Sequence, residues 1–398
     1  MLVLFLLLFM DILYSVFIEK QGRFSFVSLV YICIFIYFFP RKRFREIAWS
    51  WPMVIWLLLT FYHLINATIK HVPEINFVDY LRGLKIYASI CIYTFLFSND
   101  TKKAVQTVFL LLGAWLLFAL ILTGYTVGTR LNGTKVIAVM FGKGASLMAI
   151  MAIYLAAIRR ESIYRLSIRL FFPILIILLA QARNAFGMVV IMFAGYYYAV
   201  VMRCKMKFKQ LILLCTFCVF FLVSVDYVIA NTGLGMRIQN DIESVDESLY
   251  RDQYLTGTFF DYIVGERIVY YVTGWEIFIS HPITGIGLDN YQDYIQGNYP
   301  MHVEYMVHLA EGGIIAFILW ISFNLLLIIF IMRTETDKKQ KALLVFTFIS
   351  ILFTCAFSVM YDNEMTIMLY GLLLSINYPS FGNFFNKRKK LSVNYANR

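Results

Sequence analysis

The chain has 398 residues, of which 61% are hydrophobic and only 15% are charged. Soluble globular domains are about 45–50% apolar and about 25% charged, so this composition excludes a soluble fold for most of the length. The formal net charge of +11 is concentrated in short segments between apolar runs. This placement favours the cytoplasmic loops of a membrane protein over a nucleic-acid-binding surface.

The apolar runs predict an all-α, polytopic bundle of about twelve transmembrane helices, since each span needs about 20 residues. The first run lacks a basic n-region and a small-residue cleavage site, so we interpret it as a membrane helix and not as a signal peptide. The seventh and eighth runs, 166–181 and 184–202, are either two helices or one broken helix. In chain order the runs are 2–18, 24–39, 47–65, 80–98, 104–123, 135–158, 166–181, 184–202, 210–230, 306–332, 342–360 and 365–379.

The positions of Lys and Arg predict the orientation of this bundle. If the N-terminus is cytoplasmic, every second connection is also cytoplasmic, and these segments hold most of the 35 Lys and Arg residues. Such an asymmetry is typical of inner loops, so we expect both termini to be cytoplasmic. The predicted inner segments are 40–46, 99–103, 159–169, 203–209, 333–341 and the C-terminal tail.

One large loop, 231–305, divides the predicted organisation into membrane helices 1–230, the loop itself, and membrane helices with a basic tail, 306–398. The loop is acidic and rich in aromatic residues, and we expect it on the extracytoplasmic side. Within it, 262–280 is predicted to form an amphipathic helix at the headgroup layer. His281 and Pro282 end this helix because the residue before proline disfavours helical geometry.

Several cations fall on the predicted outer face, where basic residues are rarer. Arginine presents paired donors that suit phosphate oxygens, so a converging set is predicted to bind a lipid diphosphate. The alternative is that each side chain extends to lipid headgroups or pairs with a carboxylate of the loop. Lys143, inside the predicted helix 135–158, is a further candidate, because an ionisable group within a membrane span is often functional. The outer-face set is Arg82, Lys85, Arg130, Arg183 and Arg267.

His302 stands where the chain is predicted to re-enter the membrane, and a neutral histidine there can accept a proton from a reacting hydroxyl. The alternative is a satisfied polar residue at a helix start. His308 is expected to face another direction. On the predicted outer helices we pair only one carboxylate, Glu304, with a histidine, His302. The two residues are at i and i+2, which does not place them on one helix face as metal ligands. Neither a metal nor a cofactor is therefore predicted. The six cysteines are interpreted as small core residues.

The residues between about 125 and 320 resemble the O-antigen ligase and polymerase family of bacterial surface-polysaccharide assembly. The resemblance rests on RLNG at 130–133, QARNAFG around Arg183, and the segment from Arg267 through Trp275, Pro282, Gly285 and Gly287. It ends with His302 and Gly313, which keep the family's spacing of histidine, an Asn-like residue, nine others and Gly-x-x-Gly. Val303 and Ala316 depart from that pattern.

The resemblance implies a metal-independent membrane glycosyltransferase, similar in fold to the GT-C class, in the bacterial cytoplasmic membrane. Its substrate would be an oligosaccharide on undecaprenyl diphosphate, and a chain-length regulator and a flippase of the same pathway would be partners. His302, Arg267 and Arg183 would be catalytic. Diphosphate and glycan would contact a second set of side chains: Arg130, Arg82, Lys85, Lys143, Glu266, Trp275 and Glu311.

Of the activities within the family, we favour the polymerase, which joins lipid-linked repeat units into O-antigen or capsular polysaccharide. The alternative in the same family is a ligase that transfers the finished polymer to lipid A–core. A flippase or transporter of lipid-linked oligosaccharides and a non-catalytic assembly protein are alternatives of other classes. Transporters often contain internal repeats, and we find none in this sequence.

Overall fold

A computed structural model describes residues 23–70, 77–123, 135–180, 183–202, 267–294, 301, 303–333, 338–357 and 366–375. Within these ranges the chain forms helices and turns, and no strand occurs there. The predicted all-α class is therefore confirmed for this part of the chain. The predicted helices 2–18 and 210–230, and most of the loop 231–305, lie outside the described residues.

Eight helices precede the large loop in the described residues. Three of them, α4, α6 and α8, follow internal gaps in the described residues, and α8 continues as a π-helix over Tyr197–Val201. Their bounds are α1 Arg23–Phe38, α2 Lys42–Ala48, α3 Trp51–Ile69, α4 Phe77–Asn99, α5 Thr101–Thr123, α6 Lys135–Arg159, α7 Ile163–Leu179 and α8 Arg183–Tyr196.

Six further helices follow. The third of them, α11, leads directly into a second π-helix, Val307–Glu311. Their bounds are α9 Arg267–Ser280, α10 Tyr291–Tyr294, α11 Glu304–Met306, α12 Gly313–Arg333, α13 Lys338–Cys355 and α14 Thr366–Ser375.

Four described stretches are long and apolar enough to cross a bilayer: Trp51–Ile69, Phe141–Arg159, Asn184–Val201 and Gly313–Arg333. Leu29–Phe38 and Thr366–Ser375 are shorter apolar helices. These helices indicate a membrane protein.

The centre of the bundle is α6, whose residues from Phe141 to Ala156 are almost all buried. It packs against α5, α7 and α8, and α8 packs in turn against α13. Small side chains allow close approach: a Cβ at Gly144 would overlap the ring of Trp115, and one at Gly187 would overlap that of Phe353. A second set of contacts joins α1 to α4 and α3 to α12.

Local sequence sets the ends and faces of these helices. Pro52 lies in the first turn of α3, where its missing N–H costs nothing. The buried side of α7 recurs at the spacing of one helical face, with Leu166, Leu170, Pro173, Ile176 and Ile177. The helix α9 ends at Ser280, directly before His281 and Pro282, as predicted.

Within the described residues, the predicted apolar runs and the observed helices agree closely, and the main difference is the start of α12. The stretch 166–202 contains two helices, α7 and α8, separated near residue 181. The predicted helix 306–332 instead begins at Gly313, because φ is +67° at this residue and an α-helix cannot continue through it. The chain before Gly313 forms the short α11 and the π-helix.

Candidate functional site

The segment 303–313 lies at one end of the bundle, where five elements meet. The C-terminal half of α3 contacts this segment, α9 packs beside it, and the chain continues from it into α12. The hydroxyl of Tyr305 donates to the carbonyl of Leu352 near the end of α13 (2.9 Å). A π-helix within this segment is notable because such one-turn features are often found at functional sites.

A turn from Pro282 to Tyr291 docks onto this segment through the backbone. The N–H groups of Ile286 and Gly287 donate to the carbonyls of Ala310 and Glu311, at 3.1 and 2.9 Å. The N–H of Ile314 donates back to the carbonyl of Pro282 (2.9 Å). Gly285 has φ of +66°, and a Cβ there would overlap the backbone of Glu311, so the close approach requires glycine.

The Glu311 carboxylate also holds this turn. Its Oε2 accepts from the N–H of Asp289 (3.1 Å), and its Oε1 accepts from the N–H of Tyr291 (3.3 Å). The side chain is 2% exposed. A buried carboxylate that accepts backbone N–H groups satisfies donors that the irregular turn would otherwise leave unpaired.

The helix α3 contacts the same backbone from the other side. The hydroxyl of Tyr62 donates to the carbonyl of Gly312 (2.8 Å). The amide nitrogen of Asn66 donates to the carbonyls of Thr284 (2.6 Å) and Glu311 (3.3 Å). Polar side chains of α3 therefore bind both the turn and the π-helix.

Three buried side chains, Glu304, His308 and His63, form a continuous chain of hydrogen bonds. This chain connects the π-helix segment to α3. Nε2 of His308 lies 3.0 Å from Oε1 of Glu304, and Nδ1 of His308 lies 3.0 Å from Nε2 of His63. Glu304 and His308 are 0% exposed, and His63 is 1% exposed. The ring of Trp320 stacks on His308, with 5.5 Å between centroids.

The helix α9 packs on the segment through Gly274, whose Cβ position lies 3.0 Å from Sδ of Met306. Its outer side carries Trp275, which is 51% exposed and contacts the ring of Phe278. Ile279 and Ile283 are also exposed. The predicted amphipathic helix is thus observed over Arg267–Ser280, with one side against the site and an apolar side facing outward.

Three predicted site residues have backbone positions but no described side chain, and three more lie outside the described residues. Arg183 and Arg267 are the first residues of α8 and α9, and Arg82 lies in α4. His302, Arg130 and Glu266 lie outside the described residues, although Met301 and Val303 on either side of His302 are buried. The predicted roles of these residues stay predictions.

Two predicted cations have described side chains. Lys85 is 8% exposed, and its Nζ lies 5.5 Å from the ring centroid of Tyr31. Lys143 is half-buried on α6. Contact of either ammonium group with a diphosphate stays a prediction.

The sequence reasoning missed His63 and the pair Glu304 and His308. Our statement that only His302 paired with a carboxylate on this segment was wrong, because Glu304 and His308, four residues apart, form the observed pair. The i, i+4 spacing could have identified it, since such residues are neighbours on a helix. No local signal could have identified His63, which is 245 residues from His308.

Residues 168–321 match the family model described as O-antigen ligase. This match supports the predicted resemblance of that part of the chain to the O-antigen ligase and polymerase family. No curated protein matches the chain.

The O-antigen ligase match includes most of α7, all of α8 and α9, and the segment 303–313. It therefore contains Glu304, His308 and Glu311. His63 and the rest of α3 lie before it, so the hydrogen-bond chain joins the O-antigen ligase region to the N-terminal part of the molecule.

Proposed function

We propose that the chain is a polysaccharide polymerase that joins undecaprenyl-diphosphate-linked oligosaccharide repeat units on the extracytoplasmic face of the membrane. The observation that carries this proposal is the O-antigen ligase match, which spans Arg183, Arg267 and His302 in order. The family implies a lipid-linked oligosaccharide substrate and a membrane location.

The arrangement of helix ends supports an extracytoplasmic site. The end of α3, the start of α12 and the end of α13 meet at the segment 303–313. At the start of α3 the basic α2 is linked to the end of α4, because Arg43 donates to Asn99 and to the carbonyl of Ser98. The 19 residues of α3 separate the two ends by about 27 Å, close to the thickness of a hydrocarbon core. The basic residues would then face the cytoplasm.

The reaction follows from these assignments. A hydroxyl of the acceptor sugar attacks the anomeric carbon of the donor, and its proton passes to His302. The bond between the anomeric carbon and the diphosphate oxygen breaks, and the electron pair leaves with undecaprenyl diphosphate. Arg130, Arg183 and Arg267 stabilise the charge on the leaving group, which is the usual electrostatic contribution to such a step. Glu266 and Trp275 bind the glycan.

The second candidate is a ligase that transfers the polymer to lipid A–core, and the description of the matched family favours it. Both activities use the same donor and differ in the acceptor. The full-length protein in nanodiscs separates them when lipid-linked repeat units are supplied with and without lipid A–core, in the presence of a metal chelator. A ladder of longer lipid-linked chains without lipid A–core supports the polymerase. A product that forms only with lipid A–core supports the ligase.

A further inference from the structure

The chain of hydrogen bonds from Glu304 through His308 to His63 has no role in the reaction described above. It lies wholly inside the molecule and connects α3 to the segment that begins directly after His302. Burial of three polar side chains costs free energy unless each of them is hydrogen-bonded. A fully hydrogen-bonded network of this kind fixes the positions of its members.

The direction of the hydrogen bonds follows from the chemistry of the groups. An ionised Glu304 only accepts, so Nε2 of His308 carries a proton. Nδ1 of a neutral His308 then accepts from the Nε2 proton of His63. If His308 is doubly protonated, His63 instead accepts at Nε2 and carries its proton on Nδ1.

The surroundings of His63 favour the first arrangement. Nδ1 of His63 is buried and has no hydrogen-bond partner among the described residues. A buried N–H without a partner is rarer than a buried acceptor without one. His63 is therefore the donor, and the order of donation is His63 to His308 to Glu304.

The packing around His63 holds its imidazole in one position. A Cβ at Gly312 would lie 2.7 Å from Cε1 of His63, so the imidazole is packed directly against the backbone of the segment. Tyr62 and Asn66 on either side bind Gly312, Glu311 and Thr284. Of these side chains on α3, only His63 reaches the interior of the π-helix, through His308.

We propose that His63 is a positioning residue for glycosyl transfer, which acts through His308 and Glu304 to fix the segment 303–311 in its reactive geometry. This proposal rests on the proposed transferase function. It identifies a contribution from α3, which lies outside the O-antigen ligase match.

Two substitutions of similar polarity test the proposal. The amide nitrogen of His63→Gln can occupy the place of Nε2 and donate to His308, whereas that of His63→Asn is one methylene too short. We expect His63→Asn to lower kcat by about 10- to 100-fold, the effect of a misplaced reacting group, while KM changes by less than about threefold. His63→Gln is expected to retain kcat within about threefold.

The assay uses the full-length protein in nanodiscs with undecaprenyl-diphosphate-linked oligosaccharide from source cells that lack the gene for this chain. The matched control is Tyr87→Phe, which removes another buried hydrogen bond, from the hydroxyl of Tyr87 on α4 to the carbonyl of Ala48 at the end of α2 (2.8 Å). This control is expected to lower the midpoint of thermal unfolding about as much as His63→Asn does, but to keep wild-type kcat.

A second variant tests the other end of the network if His63→Asn does not fold. Glu304→Gln keeps an oxygen that accepts from Nε2 of His308, so kcat is expected to stay within about threefold of wild type. Loss of kcat in Glu304→Gln would mean that the charge of Glu304 matters, and positioning would be the wrong account. Wild-type kcat in His63→Asn, or equal loss in His63→Gln and His63→Asn, would overturn it as well. Absence of transfer by the wild type would instead refute the proposed function, and the positioning role with it.

Discussion

Nε2 of His63 lies 3.0 Å from Nδ1 of His308, although 245 residues separate them in the chain. The contact joins α3 directly to the segment that follows His302. Because both rings are buried, the geometry of that segment depends on the placement of α3 as well as on its own sequence. The backbone around Glu311 and Gly313 depends in the same way on contacts with residues elsewhere in the chain.

Glu311→Gln is expected to destabilise the protein in the absence of any substrate. The carboxylate accepts from the N–H groups of Asp289 and Tyr291, and an amide would turn an NH₂ group toward one of these donors. A buried donor left unsatisfied costs about 1–3 kcal/mol. Thermal unfolding of the detergent-solubilised protein measures the effect, with exposed Glu276→Gln as the control. Equal unfolding midpoints for the two variants would contradict the structural role of Glu311.

Gly313→Ala is expected to destabilise the junction between the π-helix and α12. The residue has φ of +67°, and an added Cβ would overlap the carbonyl of Ile283. The backbone conformation alone costs a non-glycine residue about 1–3 kcal/mol. Gly113→Ala is the control, because its Cβ would meet only the flexible end of Met148 at 3.1 Å. Unfolding midpoints show whether Gly313 is the more sensitive glycine, and the reverse order would be inconsistent with the observed turn.

The orientation of the bundle predicts the sides of two exposed residues. Lys103, with a side chain 79% exposed, is predicted to face the cytoplasm, and exposed Glu276 on α9 the opposite side. In spheroplasts, a membrane-impermeant maleimide is expected to label Glu276→Cys at once and Lys103→Cys only after lysis. The parent protein measures labelling of the native cysteines. Labelling of Lys103→Cys before lysis would contradict the predicted orientation of the bundle.

Arg267→Ala and Arg183→Ala are expected to reduce transfer by about 10²- to 10³-fold, the usual cost of losing one stabilising donor to a developing charge. Their natural control is Arg165→Ala, since Arg165 is exposed on α7 in a predicted cytoplasmic segment. Product ladders on gels, normalised to protein in the membrane fraction, give the rates. If all three variants behave alike, the two outer arginines do not bind the diphosphate.

The sequence predicted most of the helices because membrane spans impose both length and apolar composition. The bounds of α1, α4, α5 and α6 differ from the apolar runs by a few residues at most. The start of α12 was misplaced because apolar composition continues from Met306 through Gly313, while the backbone conformation changes at Gly313. Composition does not report such a change.

The polar interior was less predictable for a different reason. Glu311 was chosen as a glycan ligand from its position in the segment, and its contacts with Asp289 and Tyr291 arise only when the turn folds back. Lys85 was chosen for its charge, and its burial beside Tyr31 depends on how α1 and α4 pack. Pairing between distant segments determines these environments, and spacing along the chain does not contain it.

The transfer activity of His302→Ala tests the central claim most directly. In nanodiscs with lipid-linked repeat units and a metal chelator, the wild-type protein is expected to produce a ladder of longer chains. Loss of the general base is expected to slow this elongation by about 10²- to 10⁴-fold in the variant, with an unchanged unfolding midpoint. Elongation by His302→Ala at the wild-type rate would contradict the assignment of His302 as the base.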